Sequence, residues 1–586
     1  MYRKTLSILA VLVLALAVLA TGCQSATPTA TVAPTSAAKT DAGNGLMVPL
    51  ADTLTTITAL ISNNEGGKDW SKDDFPILDA VQKITNVKLA MESYSSTAYG
   101  QILSARLSAK YNLPDMFVCD QRSYDFSSLQ SSGTIQALNT LIAADAPNLV
   151  AMMAKDASLK NALTTNSIIY AFPGQLRDQQ FDVLLNMYRQ DWVDALIAAN
   201  DLKFSDSGSA PKTIDDWTAM LTAFKTYGDV AGGPTAYNKA NGNVDKIIPF
   251  ELWHMNKLNG IAVSYGLSEQ SDWFSTVNGA VVYDWTDQQD NMKAFLKQMN
   301  SWYKSGLLDP QYGLNLDIES YVYDNRAGVD CEWTGYASYW NTNTPNAMGV
   351  AKGYTNEKVP TDSTHDTYTQ HWSLAQAAIA NKADGTPYVA APGYEGYPLL
   401  NYVRWVVSGT AKDPALVVKY LDFLFGTKQG QTLMNYGIQG TDYTLVDGKP
   451  VFTDTVLKAT GGAFAYLAAE GSSRLPMVQL YDQNAQLSGW NGATGRMATF
   501  LTQLQTNLKA FRVFFPSIPY TSDQVAQIGT KASDINTLVS TYLVGFIRGT
   551  YNVDTDYASL VSQIKAAGID TVKNVKTTQY AVYTAG

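Results

Sequence analysis

Seven aromatic residues stand where side chains can reach a ligand. Trp253 follows a strand-like run, and Trp333 and Tyr336 follow the strand-like stretch 327–331. Trp340, Tyr394, Tyr397 and Trp490 lie among Asn, Thr, Gly and Pro. Such side chains stack on the apolar faces of sugar rings, while amides and hydroxyls read the ring hydroxyls. The chain has 12 Trp and 34 Tyr, so core positions must be set aside first. Trp217 and Trp302 fall on the apolar faces of helical patterns and are assigned to the core. Residues for covalent chemistry are poorly placed. His254, His365 and His371 have no metal-binding spacing, and no G-x-S-x-G, H-E-x-x-H or glycine-rich phosphate loop occurs. The pattern favours binding over catalysis. A glycan hydrolase needs only two well-spaced carboxylates, and with 52 acidic residues a surface polysaccharide enzyme stays open as an alternative.

The elements that position these residues read as alternating strands and helices. Residues 54–62 are strand-like, and Ile77, Val81 and Ile84 then recur at helical spacing. A second strand candidate, 87–91, precedes a helix with Tyr99, Leu103 and Leu107 on one face. Residues 116–119 form a third. This order predicts right-handed βαβ units and a mostly parallel sheet. Further on, Thr213 is a candidate N-cap with Asp216 three residues later, ahead of Trp217, Met220, Leu221 and Phe224. Met292, Phe295, Leu296, Met299, Trp302 and Tyr303 make another apolar helical face, as do Ile535, Leu538, Val539, Tyr542, Leu543 and Phe546.

The first residues read as a targeting segment. Arg3 and Lys4 precede the uncharged apolar run 6–20, which is short for a membrane span and fits a secretory signal. Ala20-Thr21-Gly22-Cys23 resembles a lipobox, so Cys23 is the expected lipidation site, with acyl chains holding the protein on the outer face of the cell membrane. The expected boundaries are a signal at 1–22, then lipidated Cys23 and a Ser/Thr/Ala/Pro tether at 23–45. The formal charge of −10 becomes −12 without Arg3 and Lys4, which argues against nucleic acid as a partner. Cys119 and Cys331 end apolar runs and read as buried thiols rather than a disulfide.

Seven phrases in order resemble the family 1 extracellular solute-binding proteins of ABC transporters, in particular the long lipoprotein type of Gram-positive bacteria. They are Leu113-Pro114-Asp115-Met116, Ile169 to Pro173, Tyr188 to Trp192, Pro211 to Trp217, Tyr303 to Pro310, Gly437 to Gly440 with Tyr443, and Gly568-Ile569-Asp570. The resemblance implies an α/β, two-lobe periplasmic-binding-protein-like (type II) fold with a hinge and a central ligand cleft. It implies a first lobe of 46–178 with 372–437 and a second of 179–371 with 438–586. It also implies that Asp120, Gln121 and Arg122 face the cleft and that Gln175 and Arg177 sit at the hinge. The implied function is capture of an oligosaccharide or related carbohydrate by a monomer that delivers it to permease subunits. A peptide or other non-sugar ligand, or a sensory role, is the alternative. No cofactor is expected. The loop 238–249 stands where some relatives bind calcium, but Asp245 is its sole carboxylate and a hard cation wants several.

Overall fold

The computed structural model describes residues 38–62, 69–71, 73–120, 123–177, 184–228, 247–252, 258–314, 322, 326–333, 372–375, 377–389, 395–396, 403–459, 462–472, 479–482, 484–485, 512–513, 515 and 520–584. The first lobe begins with β1 (Thr55–Ser62), α1 (Pro76–Thr85), β2 (Val87–Tyr94), α2 (Ser96–Ala109) and β3 (Met116–Asp120). Local chemistry explains these elements. Pro76 starts α1 without losing a needed N–H, Ile77 and Val81 bury one face, and Asn86 ends it with φ 56°. On α2, Tyr99, Leu103 and Leu107 are the buried stripe. β1 pairs in parallel with both β2 and β3, as the strand–helix alternation predicts.

The chain then forms β4 (Phe172–Pro173) and β5 (Gln175–Arg177). It continues with β6 (Leu184–Arg189), α3 (Ile214–Gly228), the short α4 (Asn259–Ala262) and α5 (Gln289–Lys304). Next come β7 (Val329–Trp333), β8 (Trp372–Leu374), β9 (Val403–Val407), α6 (Pro414–Gly426) and β10 (Gln479–Tyr481). Last are α7 (Lys531–Arg548) and α8 (Ile569–Thr584). β9 returns to the first sheet, where it runs antiparallel to β3 and β4, giving the order β2-β1-β3-β9-β4. The second lobe holds a separate antiparallel sheet, β7-β6-β8.

Two apolar cores match the two sheets. One gathers Leu60, Phe117, Phe172, Trp405 and Leu421; the other gathers Trp217, Met220, Leu221, Phe224, Phe295, Trp302, Val539 and Phe546. The predicted cap of α3 is present: Thr213 Oγ1 accepts from the Asp216 N–H (3.1 Å), and the Asp216 carboxylate accepts from the Thr213 N–H (3.0 Å). Cys119 and Cys331 are buried on different sheets, with no disulfide between them.

The lobe assignment differs from the expected boundaries in two places. Trp372 does not begin a return to the first lobe. It pairs with Arg189 in the second sheet, its ring lying 5.9 Å from the Arg189 guanidinium. The stretch after Gly437 stays in the first lobe. There Tyr436 packs on Tyr443 (5.9 Å between rings) and Phe452 (5.4 Å), closing the hairpin Tyr443–Val446 and Lys449–Phe452 onto the first core. Three crossings therefore join the lobes: between Arg177 and Leu184, between Tyr388 and Val403, and between Ala485 and Phe515. α8 touches both lobes, with Ile569 and Val572 in the second core and Tyr583 packed on the first.

Candidate ligand-binding site

Three of the expected residues lie on the first sheet and on the two-stranded ladder that follows it in the chain. Asp120 ends β3 and pairs with Val403 of β9. The Val403 carbonyl accepts from the Gly174 N–H at 3.2 Å, and a Cβ on Gly174 would stand 2.6 Å from that oxygen. Glycine is required for this approach. Gln175 follows at once, 3% exposed, and starts the parallel ladder of β5 with β10, Gln175 opposite Gln479 and Arg177 opposite Tyr481. Val403 thus stands between Asp120 and Gly174, and Gln175 and Arg177 follow where the chain leaves the first lobe.

The second sheet presents its own edge to the same crossing. β6 begins at Leu184, and Leu184 pairs with Trp333. Only 178–183 separate β5 from β6, a reach of about 20–25 Å at most. Position 333 therefore lies at the hinge end of the second sheet. Trp333 is the last residue of β7 rather than two residues beyond a strand ending at Cys331, because the β6 ladder extends through position 333. Gln121, Arg122, Trp253, Tyr336, Trp340, Tyr394, Tyr397, Trp490, Cys23 and most of the loop 238–249 lie outside the described residues.

Charged and polar groups missed by the sequence reading are buried on both sheets. Arg404, 1% exposed, sits between Cys119 and Pro173 in the ladder beside Val403. Its signal was available: an arginine inside the apolar stretch Val-Arg-Trp-Val-Val must be buried with partners. On the second sheet, Asp330 is 0% and Glu332 5% exposed. Arg189 binds the Asp191 carboxylate (Nε–Oδ1 2.8 Å, Nη2–Oδ2 2.5 Å) and lies 4.6 Å over the Trp192 ring. Behind this sheet, burial pushes the Asp309 carboxyl above its ordinary range against the pull of the Gln311 N–H. Among the described residues no group of three His, Cys, Asp or Glu side chains is placed to hold a metal ion. What the described residues offer is buried polar groups on both sheets, with Asp120 and position 333 at strand ends.

No protein-family model and no curated protein matches the sequence. Solved structures do match in shape. An alginate-binding protein determined without calcium ion is 20% identical, with 91% of this chain and 99% of that one covered and a TM-score of 0.66. A Streptococcus pneumoniae ABC-transporter substrate binding protein in complex with kestose is 17% identical, with 90% and 99% covered and a TM-score of 0.65. An extracellular solute-binding protein from Bifidobacterium longum subsp. infantis is 15% identical, with 91% and 99% covered and a TM-score of 0.65. With two sheets, two cores and three crossings, the chain has the two-lobe α/β fold of the extracellular solute-binding proteins of ABC transporters.

Proposed function

We propose that this protein is an extracellular, lipid-anchored solute-binding protein that captures an oligosaccharide and delivers it to the permease subunits of an ABC importer. One observation carries the reading: the hinge corner of the first sheet, with Asp120 and Gln175, and the hinge end of the second sheet, with position 333, converge on the same crossing. A fold shared with proteins named for alginate and kestose supports a carbohydrate as the class of ligand, although a fold by itself does not fix function.

The mechanism is non-covalent. A ligand enters between open lobes, the three crossings bend, and the lobes close around it. Aromatic faces take the apolar side of a sugar ring, and Asp120, Gln175 and their neighbours take its hydroxyls. Release follows when the transporter reopens the lobes. Such a cycle needs neither catalyst nor cofactor, and the loop 238–249, with Asp245 as its sole carboxylate, is read as a surface loop rather than a calcium site. The working form is a monomer held at the membrane through Cys23.

The test is a thermal-shift screen against a glycan library, followed by solution scattering with the best hit. A ligand at 100 times its Kd stabilises the folded state by about 2.7 kcal/mol. The expected result is an oligosaccharide that raises the unfolding temperature and lowers the radius of gyration. A library without a stabilising glycan would overturn the carbohydrate reading. A stabilising glycan with no change in scattering would overturn closure.

A further inference from the structure

The buried side-chain atoms of the second lobe that make no hydrogen bond include Asn186 Oδ1, both amide atoms of Asn259, and Ser264 Oγ. Asn186 is 2% exposed and Asn259 0%. A buried polar group without a partner is costly, and native proteins nearly always satisfy it with protein, water or ligand. Two of these residues lie on elements that pack together. Asn186 lies on β6, and α4, which carries Asn259, packs on that strand. A Cβ on Gly260 would stand 2.1 Å from Asn186 Oδ1, so this glycine lets the Asn186 amide rest against the α4 backbone beside Asn259.

The register places this pair between core and hinge. Tyr188 and Val329 pair at the inner end and belong to the second core. Asn186 pairs with Cys331 two residues nearer the crossing, and Leu184 with Trp333 two residues further. Alternation puts the Asn186–Cys331 and Tyr188–Val329 pairs on one face of the sheet, spaced about 7 Å apart along the strand. That face runs from the apolar core to Asn186, two residues short of the hinge end of the ladder. Each amide offers a donor and an acceptor in one plane. Adjacent sugar hydroxyls supply both complements, whereas an apolar ligand would leave the amides unpaired.

We propose that Asn186 and Asn259 form a polar subsite that hydrogen-bonds neighbouring hydroxyls of the sugar unit nearest the hinge. This rests on the carbohydrate reading given above. The rival occupant is an enclosed water that serves the fold alone.

Asn259→Leu tests the subsite, because it removes both amide atoms at similar volume. Calorimetric titration with the strongest glycan from the screen is expected to give binding weaker by about 10- to 100-fold. The ligand-free variant is expected to unfold at an unchanged or higher temperature. Asn186→Ala is a second variant with the same expected loss of affinity, and it carries the test if Asn259→Leu does not fold. Full-strength binding by a folded variant overturns the subsite. A lowered unfolding temperature with unchanged affinity also overturns it and assigns the amides to a structural water. Failure of the wild-type protein to bind any glycan removes the carbohydrate reading and the subsite together. Wild-type binding matched by both variants removes the subsite alone.

Discussion

At the scale of single residues, a buried carboxylate stabilises the fold as an ion only where its hydrogen bonds outweigh the effect of burial. Asp115 ties three segments together. Its carboxylate accepts from the Thr58 N–H (2.8 Å), the Thr58 hydroxyl (2.7 Å) and the Lys412 N–H (2.9 Å). Burial pushes its pKa up, but these bonds outweigh burial and hold it below the ordinary carboxylate range. The ionised form therefore stabilises the fold above the unfolded-state value of about 3.9, and that contribution is lost as pH falls through the depressed folded value. Asp422 has the opposite sign. Burial raises its pKa, even though it accepts from the Asn148 and Leu149 N–H groups at the start of the helix Pro147–Lys155. Its charge thus detracts from stability at neutral pH and is relieved by acid. Asp115→Asn should lower stability at pH 7 by about 2 kcal/mol, and the deficit should shrink as pH approaches about 3. Urea unfolding of both proteins across that range measures it. A pH-independent deficit would refute the assignment.

At the scale of elements, strand ends decide where ligand chemistry is placed. β7 carries Trp333 to the hinge because its ladder with β6 runs from Val329 to the final pair with Leu184. Pairing is a backbone property, so Trp333→Ala leaves the ladder able to form while removing the proposed stacking surface. The expected outcome is a loss of about 2–4 kcal/mol in glycan binding with little change in unfolding temperature. A core tryptophan would instead show about 3–5 kcal/mol of lost stability. Calorimetry with the best ligand, alongside thermal unfolding, separates the two. Binding at full strength by the folded variant would end the stacking proposal. The same logic explains α4: its brief helix matters because Gly260 lets it press against β6.

At the scale of the whole molecule, the lobes are joined by more than the crossings. α8 runs from the second core at Ile569 and Val572 to the first lobe, where Asn161 Nδ2 donates to the Tyr583 carbonyl (3.2 Å). Ser128 and Ser522 approach within 3.4 Å nearby. Any closing motion must work against, or slide along, this second set of contacts, which makes closure a hinge about a braced back rather than free flapping. Among the described residues no helix is long and apolar enough to cross a membrane. The proposed attachment is through Cys23. Expressing Cys23→Ala in a bacterial host should move the protein from the membrane fraction to the medium or periplasm. Equal membrane retention of the variant would show that something other than this cysteine holds it.

The sequence alone determined what local chemistry controls. The β1–α1–β2–α2–β3 order followed from periodicity, the α3 cap from Thr213 and Asp216, and the apolar faces of α5 and α7 from their spacing. Asp120 and Gln175 were proposed as ligand contacts through phrases that resemble a known family, and they remain a proposal. Tertiary structure decided everything that depends on distant pairing. Whether 372 and 443–485 belong to one lobe or the other is fixed by Trp372 against Arg189 and by Tyr443 and Phe452 against Tyr436, contacts without a local signal. Asn186 and Asn259 are 73 positions apart, and neither is distinctive in its own stretch. Only the packing of α4 on β6 brings the strand and the helix that carry them together, and burial, with the cost of a missing partner, is a property of the folded chain.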